Sequence, residues 1–380
     1  MSNSAKKEYL IEIRQRYFTA TKKEKSLILD EVCRICRFNR KYAIRVISKK
    51  DLRHSRKKGR PQKYNSIAIF NFLKDLWVLT NLACSERLKA AIPLWLPYYQ
   101  FHRANHLTEE DKKLLSEISP STIKRLLRKL KSKYKKFGLS TTKPGSLLKK
   151  QVPIKLNQWD ESRPGFVEAD TVAHCGSTVS GQFVYTLNVV DIATGWTEQR
   201  ALWGKGKKGV FEALKSIRKA LPFIVLGFDC DNGGELLNYM LLEYFTNRKN
   251  PVEYTRSREY KKNDNAHIEE KNWTHVRQFI GYQRFDKVQT VDMLNELYLS
   301  EWRFYLNFFI PSFKLIEKIR DGAKIIKKFS DPLTPYQRLL GSEQISRSRK
   351  KELTKIFKAL DPFVLEKRMK NKIKNILSLY

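Results

Sequence analysis

The sequence predicts an α/β protein in which a mixed β-sheet flanked by helices lies between all-α N-terminal segments and a mainly helical C-terminal region. Three observations support this fold class. Apolar residues recur with helical spacing before Pro164, with strand-like alternation after it, and mainly with helical spacing again past residue 290. Between these limits the segments follow the order β-β-β-α-β-α-β-α, which is typical of a mixed sheet covered by helices.

The charge of the chain predicts a polyanionic partner. Its 380 residues include 75 Lys and Arg against 39 Asp and Glu, for a net charge of +36. Residues 1–150 hold 37 basic and 12 acidic side chains, residues 151–290 hold 19 and 17, and residues 291–380 hold 19 and 10. A near-neutral centre between basic flanks is typical of a catalytic or structural block held by nucleic-acid-binding arms. Without a long uncharged apolar run or a secretory signal, the sequence predicts a cytoplasmic, nucleoid-associated prokaryotic protein that does not bind membranes.

Residues 1–53 are predicted to form a helix-turn-helix DNA-binding domain. Two helical periods in residues 22–50 are broken near Arg37-Phe38-Asn39. Their predicted buried positions are Leu27, Leu29, Val32 and Ile35 in the first helix and Tyr42, Ile44, Val46 and Ile47 in the second. The second helix would present Arg40, Lys41 and Arg45 to DNA, as a recognition helix does. Two basic helices of a bundle are the alternative interpretation.

Residues 54–64, "HSRKKGRPQKY", are predicted to be a basic linker, because Gly59 and Pro61 interrupt a run of charges. The central Gly-Arg-Pro would suit insertion into a narrow minor groove, with Lys58 and Arg60 contacting DNA. A solvated linker without DNA contacts is an equal alternative.

Residues 65–145 are predicted to form a second helical DNA-binding domain. An apolar helical segment runs from Asn65 to Gln100, and a second helix-turn-helix candidate follows it. Ser119-Pro120-Ser121 marks the turn, and Ser121 is expected to cap the next helix. That helix would expose Lys124, Arg125, Arg128 and Lys129 toward phosphates. An extended linker leads from there to residue 155.

Two cysteines and two histidines could supply zinc ligands. Cys33 and Cys36 form a C-x-x-C pair, and His102 and His106 form an H-x-x-x-H pair. However, 65 residues separate Cys36 from His102, and the cysteines fall on an apolar helical face. Buried reduced thiols are therefore the favoured interpretation.

Three carboxylates within residues 155–290 fall where strand or helix ends would bring them together. Asp170 lies in the strand "FVEAD", Asp231 ends the buried strand "PFIVLGFDCD", and Glu269 begins the helix after "KKNDNAH". Ligands of open α/β sheets gather at the carboxyl ends of strands. The sequence therefore predicts one site that contains these three side chains.

The segments "EADT", "DCDNGGE" and "KKNDNAHIEEKN" resemble the DDE transposase and retroviral-integrase superfamily. Downstream, "NFFIPSFKL" and "DPLTPYQRLL" are similar to the C-terminal part of bacterial insertion-sequence transposases with an integrase-like core. The resemblance implies an RNase H-like catalytic domain over 155–290, followed by a C-terminal helical basic region over 291–380. It also implies that Asp170, Asp231 and Glu269 are both the catalytic residues and the metal ligands.

Each of the last two acids has an acidic neighbour, so the assignment requires a choice. The family pattern places the second aspartate immediately before Asn-Gly, which selects Asp231 and leaves Asp229 to buttress the strand. For the glutamates, helical geometry at about 100° per residue places Glu269 about 45° and Glu270 about 145° from the predicted buried face. That face contains Ile268, Val276, Phe279 and Ile280.

The resemblance implies a two-metal mechanism, in which hard carboxylate oxygens hold two Mg²⁺ or Mn²⁺ ions about 4 Å apart. The predicted activity is binding of terminal inverted repeats, 3′-end cleavage and strand transfer into target DNA. The predicted partners are double-stranded DNA and further copies of the chain, because two ends have to be joined. His174 lies four residues past Asp170 and would contact DNA or take part in proton transfer. A structural role for this histidine is the favoured alternative.

The loop before Glu269 is expected to contact phosphates through Lys261, Lys262 and Asn265; a solvated loop is the alternative.

Two rival functions have the same fold. One is a DNA-binding regulator with an inactive RNase H-like domain, which metal-dependent nicking would exclude. The other is a structure-selective RNase H-like nuclease, which a strand-transfer assay would distinguish.

Overall fold

The structure, a computed structural model, describes residues 1–49, 63–131, 162–257, 266–321 and 324–380. The chain divides into two compact units, Met1–Lys63 and Tyr64–Tyr380. Residues 54–62 of the predicted linker, including Lys58 and Arg60, lie outside the described residues.

The described part of the first unit contains three helices, α1 (Asn3–Thr19), α2 (Lys22–Cys36) and α3 (Arg40–Ile47). A capping box between Thr21 and Glu24 begins α2, and Arg37 ends it in the left-handed region with φ 54°. The side chain of Asn39 then accepts a hydrogen bond from the amide of Tyr42 at 2.8 Å and caps α3. The helix break predicted near residues 37–39 is therefore present.

The buried face of this unit differs from the predicted one. Leu27 is 69% exposed and Ile35 is 37% exposed, while Ile28 and Cys36 are buried in their place. In α3, Tyr42 and Ile44 are likewise exposed, and the core residues are Ala43 and Ile47. The cause is α1, which the sequence analysis did not anticipate: its Leu10 and Ile13 join the same core and rotate the buried stripe of α2.

The helices and strands of the second unit have the following bounds. Before the sheet lie α4 (Ile67–Leu79), α5 (Ser85–His102), α6 (Glu109–Glu117) and α7 (Pro120–Lys131). The sheet region contains β1 (Phe166–Ala173), β2 (Val184–Asp191), β3 (Thr197–Trp203), α8 (Lys207–Ala220), β4 (Gly227–Cys230), α9 (Tyr239–Thr246), β5 (Glu253–Arg256) and α10 (Ala266–Lys271). After it come a π-helical turn (Asn272–Arg277), α11 (Gln278–Ile280), α12 (Gln289–Leu297), a second π-helical turn (Tyr298–Trp302), α13 (Arg303–Phe309), β6 (Leu315–Asp321), β7 (Lys324–Phe329), α14 (Pro335–Gly341), α15 (Arg347–Ala359) and α16 (Pro362–Leu377).

The described strands around the predicted site form a five-stranded mixed sheet in the order β3-β2-β1-β4-β5. β2 is antiparallel to both β1 and β3, whereas β4 is parallel to both β1 and β5. The predicted mixed α/β fold, with its β-β-β-α-β-α-β-α order, is confirmed. In this order β1 is central, so its residues can meet side chains from β2 and β4.

The outer edge of β3 is covered by side chains from the C-terminal helices. The side-chain amide of Asn307 accepts from the amide of Thr197 and donates to its carbonyl, both at 2.9 Å. Asn295 makes the same pair of bonds with Ala201, at 2.8 and 3.0 Å. The two asparagines thus satisfy backbone groups that an uncovered edge strand would leave open.

The helices before and after the sheet share one hydrophobic core. The indole of Trp95 is buried and donates to the carbonyl of Phe309 at 3.1 Å. Its ring packs edge to face against Tyr305 and Phe363, with ring centres 6.0 and 5.2 Å apart. The predicted divisions 65–145, 155–290 and 291–380 therefore lie within one compact unit, and the finer boundaries stay predictions.

Three local expectations need correction. The helical segment expected from Asn65 to Gln100 is interrupted after α4, where Asn81 and Leu82 adopt φ 53° and 60°. The cap of α7 is Ser119 rather than Ser121: its hydroxyl accepts from the amide of Thr122 at 3.2 Å, and Pro120 takes the first helical position. The C-terminal region also contains the antiparallel pair of strands β6–β7, which the helical periodicity did not predict.

Within the described ranges, no helix combines the length and the apolar character needed to cross a membrane.

We predict that Trp95→Ala destabilises the second unit by about 3–5 kcal/mol, because it removes a fully buried ring and its hydrogen bond. Phe101→Ala in the same helix removes a ring that is 73% exposed and should change stability by less than about 0.5 kcal/mol. Chemical denaturation of both variants measures the difference. Equal effects would contradict the shared core.

Candidate functional site

Asp170 and Asp231 are the first residues beyond the point where the parallel pairing of β1 with β4 stops. In the β1–β4 register Ala169 is opposite Cys230, so the next residues on the two strands are these two aspartates. Neighbouring strands are about 4.8 Å apart. β4 stops at Cys230 because the Asn-Gly-Gly turn follows, and Asp231 Oδ1 accepts from the amide of Gly233 at 2.9 Å. Both side chains are half-buried at the rim of the sheet.

The environment disfavours the charged form of both carboxyls. Burial raises the pKa of Asp170 to about 7, with the charge of Asp231 adding to the rise and hydrogen bonds from Thr171 and Asn272 opposing it. Burial also raises the pKa of Asp231, which the amide of Gly233 lowers and the charge of Glu235 raises. A proton or a cation at the pair would relieve this repulsion.

A chain of side-chain amides orients Asp170. The amide of Asn272 donates to Asp170 Oδ2 at 2.6 Å, and its oxygen accepts from Asn188 at 2.9 Å. Gln199 in turn donates to the oxygen of Asn188 at 3.1 Å. The three amides come from β2, β3 and the π-helical turn, so they fix the carboxylate to the sheet. Polar residues inside strands carry no local signal of such a network, so the sequence alone does not predict these three amides.

Glu269 lies on α10, which begins against the sheet. The amide of Ile268 donates to Glu168 Oε2 at 3.1 Å, and Ile268, Val276 and Ile280 are buried as predicted. Both Glu269 and Glu270 are exposed. The π-helical turn after α10 changes the angle per residue, so the predicted 100° spacing does not extend from Ile268 to Val276. The choice of Glu269 over Glu270 therefore stays a prediction.

A third carboxylate close to the two aspartates is Glu235, which the sequence analysis did not select. Its Oε1 accepts from the hydroxyl of Thr171 at 3.3 Å and lies 3.5 Å from Lys205 Nζ. The charge of Glu235 contributes to the raised pKa of both Asp170 and Asp231. Its position four residues after Asp231, on the same turn, is the signal that could have identified it. Among the described residues, no group of three His, Cys, Asp or Glu side chains is arranged to hold a metal ion.

Asp229 and His174 occupy buried positions. Asp229 is fully buried and accepts from the hydroxyl of Thr255 on β5 at 2.5 Å, so it lies inside the sheet rather than at its rim. His174 Nε2 is 2.8 Å from the hydroxyl of Thr186, and the imidazole stacks on Phe285. Burial lowers the pKa of His174 to about 3, so this histidine is neutral and packed. The structural interpretation of His174 is the one that these contacts favour.

The predicted DNA contacts differ in their surroundings. In the first unit Arg40 forms an ion pair with Asp30, whereas Lys41 and Arg45 are exposed. Arg45 lies 5.0 Å from the ring centre of Tyr42. In the second unit, α7 exposes Lys124, Arg125 and Arg128 together with Lys129. Lys261, Lys262 and Asn265 lie outside the described residues.

The cysteines and histidines of the zinc alternative have other contacts. Cys36 is buried in the core of the first unit, next to Val32 in the same cluster. In the second unit His102 Nε2 lies 2.7 Å from Asp361, and its ring stacks on Phe363. These contacts favour the interpretation of Cys36 as a buried thiol.

No family model matches the chain. It is 34% identical over 344 residues to the uncharacterized protein y4rM of Sinorhizobium fredii (strain NBRC 101917 / NGR234), a match that covers 89% of this chain and 96% of that protein. The chain therefore belongs to the family of y4rM. It also matches a chain in the cryo-EM structure of the simian T-cell lymphotropic virus intasome in complex with PP2A regulatory subunit B56 gamma. That match has 12% identity, covers 63% of this chain and 72% of that chain, and has a TM-score of 0.31, which is too low to establish a common fold.

We predict that Asp170→Asn raises the melting temperature at pH 8 in the presence of a chelator. The pKa of Asp170 rises from 3.8 to about 7 in the folded chain. The folded state therefore binds this proton more tightly than the unfolded state, and stability falls as pH increases from about 4 to about 7. Asparagine has no such ionisation.

Thermal unfolding between pH 5 and pH 8 gives the melting temperature of the variant and of the wild type at each pH. The quantity to follow is the melting temperature of the variant minus that of the wild type, as a function of pH. The difference should grow by several degrees toward pH 8, while Glu253→Gln, on an exposed position of β5, should follow the wild type. A pH-independent difference for Asp170→Asn would contradict the raised pKa.

Proposed function

We propose that the protein is a DNA transposase of the DDE type, which binds the terminal inverted repeats of an insertion sequence and carries out metal-dependent 3′-end cleavage and strand transfer. The observation that carries this proposal is the adjacent pair Asp170 and Asp231, which follow the last paired residues of the parallel strands β1 and β4. The strand order, with three antiparallel strands followed by two parallel ones, supports assignment of the sheet to the RNase H-like fold.

The donor chemistry of the pair fits a divalent cation. Two half-buried carboxylates with raised pKa values have negative charge that no directly bonded basic group neutralises among the contacts described above. Asp170, Asp231 and Glu269 would hold two Mg²⁺ or Mn²⁺ ions, which supply charge stabilisation and a more acidic bound water. Asn272 would keep Asp170 Oδ2 in one orientation, and the Gly233 amide would do the same for Asp231.

The proposed reaction has two phosphoryl transfers. Water attacks the phosphorus at the end of the element, and the bond to a 3′-oxygen breaks, which frees a 3′-hydroxyl. That hydroxyl then attacks a phosphorus of the target DNA in line, and a target 3′-hydroxyl leaves. In the first step a water oxygen replaces the 3′-oxygen on phosphorus, which leaves a 5′-phosphate, and a proton of the water passes to the released 3′-oxygen. In the second step one 3′-oxygen replaces another on phosphorus and the proton passes to the oxygen that leaves, so neither step needs a covalent bond to the protein.

The exposed basic residues of the helical segments would bind the DNA. Lys41 and Arg45 of α3, and Lys124, Arg125 and Arg128 of α7, are free to approach phosphates or base edges. Lys58, Arg60, Lys261, Lys262 and Asn265 remain predicted contacts. Because two element ends have to be joined to one target, a dimer or higher oligomer on DNA is part of this proposal.

We predict that Asp170→Asn, Asp231→Asn and Glu269→Gln each reduce end cleavage and strand transfer at least about 100-fold, because each removes a ligand charge that stabilises the transition state. Binding to the ends should survive. Assays with the DNA that flanks the gene, in Mg²⁺ and in chelator, measure both activities, and a pre-nicked end isolates strand transfer.

Glu253→Gln is the matched control and should retain activity. Parallel assay of Glu235→Gln assigns the third acid: loss with Glu235→Gln and retention with Glu269→Gln would move the role to Glu235. Nicking without strand transfer would identify a nuclease instead. End binding without any metal-dependent nicking by the wild type would identify a regulator.

We predict that the triple variant Lys124→Ala, Arg125→Ala, Arg128→Ala weakens DNA binding and makes its salt dependence shallower. The slope of log K against log salt concentration should decrease by about 2.7, since each lost phosphate contact contributes about 0.9. Removal of three exposed lysines of α15, Lys351, Lys355 and Lys358, is the control with the same loss of charge. Equal slopes for both triple variants would contradict a specific DNA-binding role for α7.

A further inference from the structure

A cavity of about 440 Å³ between the start of β2 and the loop from β3 to α8 has no role in the mechanism above. Its volume lies within the range of about 300–1,000 Å³ that is usual for ligand pockets. The side chains that matter for its chemistry are Gln182, Tyr185, Trp203 and Lys205. Gly204 and Gly206 complete the wall beside α8.

The cavity is linked to the two aspartates by a short chain of contacts. Lys205, from the cavity wall, lies 3.5 Å from Glu235, and Glu235 accepts from Thr171 at 3.3 Å. Thr171 is the residue after Asp170 on β1. These contacts connect the Lys205 end of the cavity wall, through Glu235, to the residue that follows Asp170.

The wall of the cavity contains three aromatic side chains, Phe183, Tyr185 and Trp203. Trp203 is 36% exposed at the end of β3, whereas Leu187 of β2 and Phe228 of β4 are buried. Tyr185 is half-buried and stacks on Phe183, with ring centres 4.9 Å apart and an interplanar angle of 27°. The guanidinium of Arg284 lies 5.2 Å from the ring centre of Phe183. The exposed ring of Trp203 suits stacking against a planar ligand.

The polar groups of the wall match the other parts of a nucleotide. Gln182 offers a side-chain amide, which both donates and accepts and so can pair with a base edge. Gly204 has φ +67°, and a Cβ at this position would lie 2.9 Å from Gln182 Oε1, so the glycine leaves room for that side chain. Lys205 offers a cation to a phosphate, and the sequence continues with two further lysines, "GKGKKG".

We propose that this cavity takes up one unpaired nucleobase of the DNA strand that is cleaved at Asp170 and Asp231. The proposal deepens the proposed function and depends on it for the source of the base. Extruding a base from the stack lets the backbone approach the carboxylates, and stacking on Trp203 compensates for the lost neighbours. A ligand without a ring would not use Trp203, and a ligand without a negative charge would not use Lys205.

The first experiment tests the cavity without any assay of cleavage. Saturation-transfer NMR on the full chain would use thymidine 5′-monophosphate, deoxyadenosine 5′-monophosphate and, as the ligand without a base, deoxyribose 5-phosphate. We expect saturation of the base protons, at least about tenfold weaker binding in Trp203→Ala, and recovery in Trp203→Phe. Phe101→Ala should bind as the wild type does. Equal binding by Trp203→Ala and the wild type, or equal binding of deoxyribose 5-phosphate, would overturn the proposal.

The second experiment tests the source of the base. Duplexes that carry the end of the element would have 2-aminopurine at each terminal position in turn, and fluorescence would be measured in Ca²⁺ with the full chain. We expect a change at one position near the cleavage site in the wild type and its loss in Trp203→Ala. If that variant does not fold, Gln182→Ala at an exposed position replaces it. Nucleotide binding without a change at any DNA position would assign the cavity to free nucleotides and overturn the proposal.

The outcomes separate this proposal from the proposed function. End cleavage by the wild type with identical fluorescence in Trp203→Ala would overturn the base site and leave the transposase function standing. A Trp203-dependent fluorescence change with no cleavage in Mg²⁺ or Mn²⁺ would support the base site and contradict the transposase function.

Discussion

The repulsion between Asp170 and Asp231 is the constraint on which the rest of the site depends. The parallel pairing of β1 with β4 ends at Ala169 and Cys230 and therefore holds the backbones of the two aspartates next to each other. Burial removes the solvent that would otherwise screen the charges, and their pKa values rise. Such an arrangement costs stability unless a proton or a cation neutralises it, and the proposed divalent cation would do so.

The surrounding polar groups keep the pair in place rather than neutralise it. Asn272 and the amide of Thr171 each donate to one oxygen of Asp170, and the amide of Gly233 donates to Asp231 Oδ1. The sheet that carries the pair is in turn completed by the C-terminal helices, since Asn295 and Asn307 cover the edge of β3. The helices before and after the sheet form one core with it, which extends from Trp95 in α5 to Ile376 in α16.

Features with local causes were predictable from the sequence. The order of strands and helices follows from apolar periodicity, and the end of β4 at Cys230, immediately before Asp231, follows from the Asn-Gly-Gly turn. Features with tertiary causes were not. The rotated buried face of α2 depends on contact with α1, the π-helical turn changes the geometry after Glu269, and Glu235 reaches the pair only because its turn folds back toward Thr171. The cap of α7 also has a local cause, but the sequence predicts it at Ser121, whereas the structure has it at Ser119.

The central claim is that Asp170 and Asp231 together hold a divalent cation. Electron paramagnetic resonance of Mn²⁺ titrated into the full chain at pH 8 tests this claim directly, without DNA and without turnover. The account predicts that the wild type and Glu253→Gln bind Mn²⁺, and that Asp170→Asn and Asp231→Asn each lose this binding. It also predicts weaker binding by the wild type below about pH 7, where protons compete for the pair. Unchanged Mn²⁺ affinity in both aspartate variants would contradict the account.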